Sequence, residues 1–219
     1  MRALGLLSDM KRKTPHGFTL IEMITVVAII IVLAGLVIGV AGYANKKAAA
    51  ERAFGEIKGM TGGCENYKVD YGSFPQTLET DTLDPRIDVS PLSQKYQKAS
   101  LDLYSALSGD YEPAGSPDFK PESGNKSYYP LERTKLSTVK AADGAVQKVT
   151  GIQDPFGMIY GYSTAAAKEE AEYRKEAQIN PNKPRQNKKI GFNPTFDLWS
   201  TAGATTPAGQ VKWVKNWSN

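Results

Sequence analysis

Between Phe18 and Ala44 the chain runs for twenty-seven residues with a single side chain charged at neutral pH, Glu22. About twenty apolar residues in a helix suffice to cross the hydrocarbon of a bilayer, so this run spans, with some tilt. Arg2, Lys11, Arg12 and Lys13 precede it against Asp9, while Lys46 and Lys47 follow it together with Glu51 and Glu56. The heavier basic flank is N-terminal, which places the leader in the cytoplasm and the bulk of the chain outside. An ordinary secretory signal has a shorter apolar stretch with its small-residue cleavage site after it. Here the small residue, Gly17, stands before the run. Cutting at Gly17 would remove the leader and keep the helix; an uncleaved anchor would use Gly17 as a helix-start residue. Spacing leaves both open.

Glu22 adds a constraint. A carboxylate at this depth costs on the order of 2–3 kcal/mol on insertion scales, less near the interface, and marks a functional candidate. A cut after Gly17 would create an α-amine on Phe18, one helical turn from Glu22. A second subunit could bring its own amine against this carboxylate. The plainer alternative is a side chain that snorkels into the headgroups.

The string Gly17-Phe18-Thr19-Leu20-Ile21-Glu22 and the apolar residues 23–34 after it resemble the class III signal of type IV pilins and type II secretion pseudopilins. The resemblance implies a prepilin peptidase that cuts Gly17–Phe18 and methylates Phe18. It implies that Glu22 recruits and registers subunits in a helical filament. Further on, Tyr67, Asp70, Tyr71, Gly72 and the Phe74-Pro75 pair are similar to the helix-end string of major pseudopilins. The turn Asp154-Pro155-Phe156-Gly157 and the strand-to-loop string 196–203 fit the same family. The resemblance covers residues 17–75, 151–163 and 192–203.

At 219 residues the chain holds one membrane helix and a globular domain with one core. Of the formal +4 charge, the leader carries four basic residues and one acidic; without it 23 basic residues face 22 acidic ones. That near-neutral balance gives no support to nucleic-acid binding. The lone Cys64 cannot form an internal disulfide, whereas many pilus-forming pilins close a C-terminal loop with a cysteine pair. His16, the only histidine, belongs to the leader. With no phosphate-loop motif and no Cys-x-x-Cys pair either, nothing points to an enzyme.

The helix is expected from Phe18 to about Tyr71, stopped by Gly72 and Pro75. Ala50, Phe54, Ile57 and Thr61 recur at helical spacing and suggest the face that meets the domain. Gly59, Gly62 and Gly63 weaken this part and suggest a break near Met60. Within the membrane run, Gly35 and Gly39 have small-xxx-small spacing that permits close helix packing; a merely flexible membrane helix fits equally. Many pilins carry proline at the position of Gly39.

Residues 76–150 and 164–190 exceed the compact family core. The spacing of Leu92, Tyr96, Ala99, Leu103 and Leu107 predicts a helix over 93–107. Asp143-Gly144 predicts a hairpin turn between 136–139 and 146–149, and residues 165–178 are polar and helix-forming. The basic segment 181–189 reads as a solvated loop, or as a contact for anionic lipid or an acidic partner. Major pseudopilins typically hold calcium in their C-terminal loop. Here no Asp or Glu follows Asp197, and Lys212 and Lys215 add positive charge, so no calcium site and no other cofactor is expected. Trp213 and Trp217 are candidates for holding that loop.

These readings give an α+β, pilin-like fold: a long N-terminal helix, its first half in the membrane, packed on a small antiparallel sheet. The expected divisions are a leader at 1–17, a transmembrane half at 18–44, the exposed half and its end at 45–75, and a periplasmic domain at 76–219. The expected function is structural, as a subunit of a type II secretion pseudopilus anchored in the bacterial inner membrane. By resemblance its partners are further copies of itself, minor pseudopilins, the prepilin peptidase, a membrane platform protein and an assembly ATPase. The alternatives are a type IV pilus subunit for adhesion, motility or DNA uptake, and a membrane-anchored binding protein with a pilin-type signal.

Overall fold

The computed structural model describes residues 17–111, 119–182, 184–185 and 190–218, with the backbone alone at residue 39. Most of the leader (1–16) and much of the basic loop (183, 186–189) lie outside the described residues. Two compact units divide at Asn45 and Lys46, and α1 (Leu20–Tyr71) contributes to both.

In the first unit α1 is rich in Ile and Val, which are indifferent helix formers in water. In lipid the balance changes, because a helix pairs every backbone group within one segment. The segment is long and apolar enough to cross a membrane, and none of its most apolar window is buried.

In the second unit α1 buries Ala53, Ile57, Met60 and Cys64. This corrects the face expected from Ala50, Phe54 and Thr61. Phe54 is 42% exposed, with the Lys58 ammonium 4.4 Å from its ring centre. The expected break near Met60 is also absent: α1 runs unbroken to Tyr71. Gly59 and Gly63 serve close approach instead. A Cβ on Gly59 would lie 2.6 Å from the Tyr129 ring, and one on Gly63 would lie 3.0 Å from Leu107 and 3.2 Å from the Tyr128 carbonyl. Gly72, at φ +77°, ends the helix as expected.

Helix α2 (Leu78–Thr82) leads to α3 (Gln94–Ser108), capped by the Ser93 hydroxyl and ended by Gly109 in the left-handed region. Tyr96, Ala99, Leu103 and Leu107 are buried as their spacing predicts, but Leu92 precedes the cap and is 69% exposed. Strands β1 (Leu136–Lys140) and β2 (Val146–Ile152) form the expected antiparallel hairpin, with Gly144 at φ +84° in its turn. Strand β3 (Gly161–Ser163) pairs with β4 (Asp197–Ser200), which pairs with β5 (Val214–Lys215), all antiparallel. The Asp154 turn leads into β3, whose three residues are all buried. A Gln153–Ile159 bridge and the bond from Tyr160 N–H to the Ile152 carbonyl (2.9 Å) link the end of β2 to the approach to β3. Between β3 and β4 stands α4 (Ala165–Ile179), with only Ala165 buried.

Helix α3 divides the core. Leu103, Tyr104 and Leu107 pack with Ile57, Met60, Cys64 and Tyr162. Tyr96 and Ala99 pack with Leu83, Val89 and Trp199, joined by Trp213 and Trp217 near the C-terminus. The fold is therefore α+β, with a long N-terminal helix and small antiparallel sheets.

Candidate processing and assembly site

Residues 17–19 are not helical, and Phe18 is 79% exposed. A Cβ on Gly17 would meet nothing within 4 Å. The Gly17–Phe18 bond thus lies in a non-helical stretch immediately before α1.

Thr19 and Glu22 make a reciprocal cap. The Thr19 N–H and hydroxyl donate to Glu22 Oε2 at 2.8 and 2.7 Å, and the Glu22 N–H donates to the Thr19 hydroxyl at 3.3 Å. This is the geometry of a capping box, in which two otherwise orphaned backbone donors find partners. Attention to charge alone misses Thr19; the spacing Thr-x-x-Glu carries the signal. Both bonds from Thr19 fall on Oε2, and among the described residues Glu22 Oε1 has no partner. The carboxylate is therefore held in place through one oxygen.

Gly35 and Gly42 are open, with nothing within 4 Å of an added Cβ. The side of the helix at residue 39 lies outside the description.

The helix-end string is structural in this arrangement. Tyr67 stacks on Tyr71 at 4.4 Å, and Tyr128 meets Tyr67 edge-on. Asp70 accepts from Lys126 Nζ at 2.8 Å and the Tyr128 hydroxyl at 2.7 Å, and these bonds lower its pKa. Tyr162 donates to the Pro75 carbonyl at 3.0 Å. Cys64 is buried beside Tyr162, and burial pushes its thiol up to about 12, which leaves little thiolate for reaction at neutral pH.

Calcium needs several free oxygen ligands. The two buried carboxylates at β4, Asp154 and Asp197, are already engaged. Asp154 Oδ1 accepts from the N–H groups of Phe156 and Met158 at 2.9 and 2.8 Å, while its Oδ2 accepts from the Ser200 hydroxyl. Asp197 accepts from the Phe192 and Asn193 N–H groups, both at 2.8 Å. Burial pushes the Asp197 carboxyl up to about 6. The loop after β4 supplies no carboxylate.

The prokaryotic N-terminal methylation motif matches residues 12–38. The chain is 30% identical over 132 aligned residues to the type II secretion system core protein G of Pseudomonas aeruginosa. That alignment covers 49% of this chain and 92% of the relative, leaving room for segments the relative lacks. No solved structure matches the chain significantly.

Proposed function

The chain belongs to the type IV pilin-like family that includes type II secretion system core protein G, and from that membership we propose that it is a structural subunit of a secretion pseudopilus. The observation that carries this reading is the alignment over 92% of a core secretion protein, joined to a methylation motif that ends inside the apolar helix. The protein is a membrane-anchored, pilin-type subunit. In this proposal a prepilin peptidase cuts Gly17–Phe18 on the cytoplasmic face and methylates the new amine. The leader departs, the domain beyond the membrane lies in the periplasm, and the role is structural rather than catalytic.

Assembly then follows from charge and shape. The Phe18 ammonium of one subunit meets Glu22 of another, and two charges that are each costly in lipid neutralise one another. Thr19 holds Glu22 Oε2, so the carboxylate loses little freedom when it pairs. Gly35 and Gly39 let neighbouring helices approach. An assembly ATPase and a membrane platform protein drive subunits out of the inner membrane, minor pseudopilins join the filament, and folded proteins are exported through the outer membrane.

The test compares exported proteins and surface fibres from cells with and without this chain. Loss of specific exported proteins with fibres unchanged is the expected result. Loss of fibres with an intact set of exported proteins would overturn the reading and make the chain a pilus subunit.

A further inference from the structure

The loop between β4 and β5 must be held by something, and the donor chemistry around it is wrong for a metal ion. We propose that an indole cluster centred on Trp199 clasps this loop and that its closure does not depend on a divalent cation. Trp213 stacks on Trp199 with ring centres 5.6 Å apart and planes at 13°. Trp217 meets Trp199 edge-on at 5.9 Å and stacks on Phe192 at 4.6 Å. The C-terminal end of the loop and the segment after β5 are thereby tied to one buried ring, and Trp217 carries the link on to Phe192 before β4.

A neutral amide makes the polar links. Asn216 Oδ1 accepts from the Leu198 N–H at 2.9 Å and from Asn193 Nδ2 at 3.1 Å, while Asn216 Nδ2 donates to the Phe196 carbonyl at 3.2 Å. Gln210 donates to the Pro85 carbonyl at 3.1 Å and fastens the middle of the loop to the segment after α2. None of these links needs a charge.

The unsatisfied groups point the same way. Among the described residues the indole N–H groups of Trp213 and Trp217 are buried without a hydrogen-bond partner. An indole N–H only donates. A site with surplus donors attracts water oxygens and repels a cation. Lys212 and Lys215 add positive charge, and the Lys215 ammonium lies 5.4 Å from the centre of the Trp217 ring. The clasp therefore holds the loop by packing and neutral hydrogen bonds, and it stands whether or not the chain serves secretion.

Purified full-length chain in detergent is melted with tryptophan fluorescence as readout, once with excess EGTA and once with millimolar calcium. The two midpoints are expected to coincide. Terbium, a calcium mimic that nearby indoles sensitise, is expected to give no luminescence above that of free ion. Trp213→Ala should lower the midpoint by about 10 °C with and without calcium, and Trp213→Phe should lower it less. A midpoint that rises with calcium, saturable terbium luminescence, or an unchanged midpoint in Trp213→Ala would each overturn the proposal. If Trp213→Ala fails to fold, the wild-type comparison and Trp213→Phe still decide.

Discussion

Replacing Glu22 with alanine is expected to leave the cut at Gly17–Phe18 intact and to reduce filament yield at least tenfold. The Gly17–Phe18 bond lies outside α1, in the non-helical residues 17–19, so the change leaves the bond proposed for cleavage in place. Assembly suffers differently. In the proposed pairing, loss of the carboxylate leaves the neighbour's Phe18 ammonium in lipid with no counter-charge. Removing one partner of a buried charge pair costs about 2–5 kcal/mol, and each 1.4 kcal/mol or so is a factor of ten in equilibrium. Glu22→Gln separates the two roles of the residue. It keeps an acceptor for Thr19 and loses the charge, so it too should fail to assemble. Filament yield is measured in the pelleted fibre fraction, with cleavage followed by the mobility of the chain on gels. Normal yield from the alanine variant would sink the pairing argument; normal yield from glutamine alone would reduce Glu22 to a helix cap.

Gly161→Ala should be among the most damaging single-methyl additions in the domain. A Cβ there would lie 2.2 and 2.3 Å from two ring carbons of Trp199 and 2.6 Å from the Tyr96 hydroxyl. Trp199 and Tyr96 are fully buried, so neither can swing into solvent. Overpacking of this kind costs about 1–3 kcal/mol, occasionally more. In a domain of this size that corresponds to a melting midpoint lowered by roughly 2–12 °C. Gly55→Ala supplies the contrast: nothing lies within 4 Å of its added Cβ, and Gly55 sits inside a helix, where alanine is favoured by about 1 kcal/mol. That variant should melt at or slightly above the wild type. Equal midpoints for Gly161→Ala and the wild type would contradict the placement of Trp199 over β3.

Elements set by local signals were legible in the chain. The apolar run, Gly72 and Pro75 bound α1; Ser93 and the spacing of Tyr96, Ala99, Leu103 and Leu107 give α3; Asp143-Gly144 gives the hairpin of β1 and β2. The phase of α1 was not legible. Periodicity found a helix but chose Phe54 for the inside, because a large ring outweighs Ala53 and Cys64 in any hydrophobic pattern. What decides the face is distant in sequence: Tyr129 over Gly59, and Leu107 with the Tyr128 backbone over Gly63. The same distant partners turned a suspected helix break into a groove.

Around the candidate site, Gly17, Phe18 and Glu22 stand out through their position beside a membrane run. Thr19 was hidden by its ordinariness, although Thr-x-x-Glu before an apolar helix is itself a readable signal. The role of Trp199 was not readable. It depends on Gly161 opposite it in the β3–β4 register and on Trp213 and Trp217 beyond the loop, and no local pattern joins those positions.

Mass spectrometry of the chain's N-terminus, recovered from the filament fraction, tests the central claim most directly. The account predicts a chain that begins at Phe18 and carries one methyl group on its amine. A chain that retains residues 1–17, or one that begins beyond Ala44 with the apolar helix lost, would contradict it.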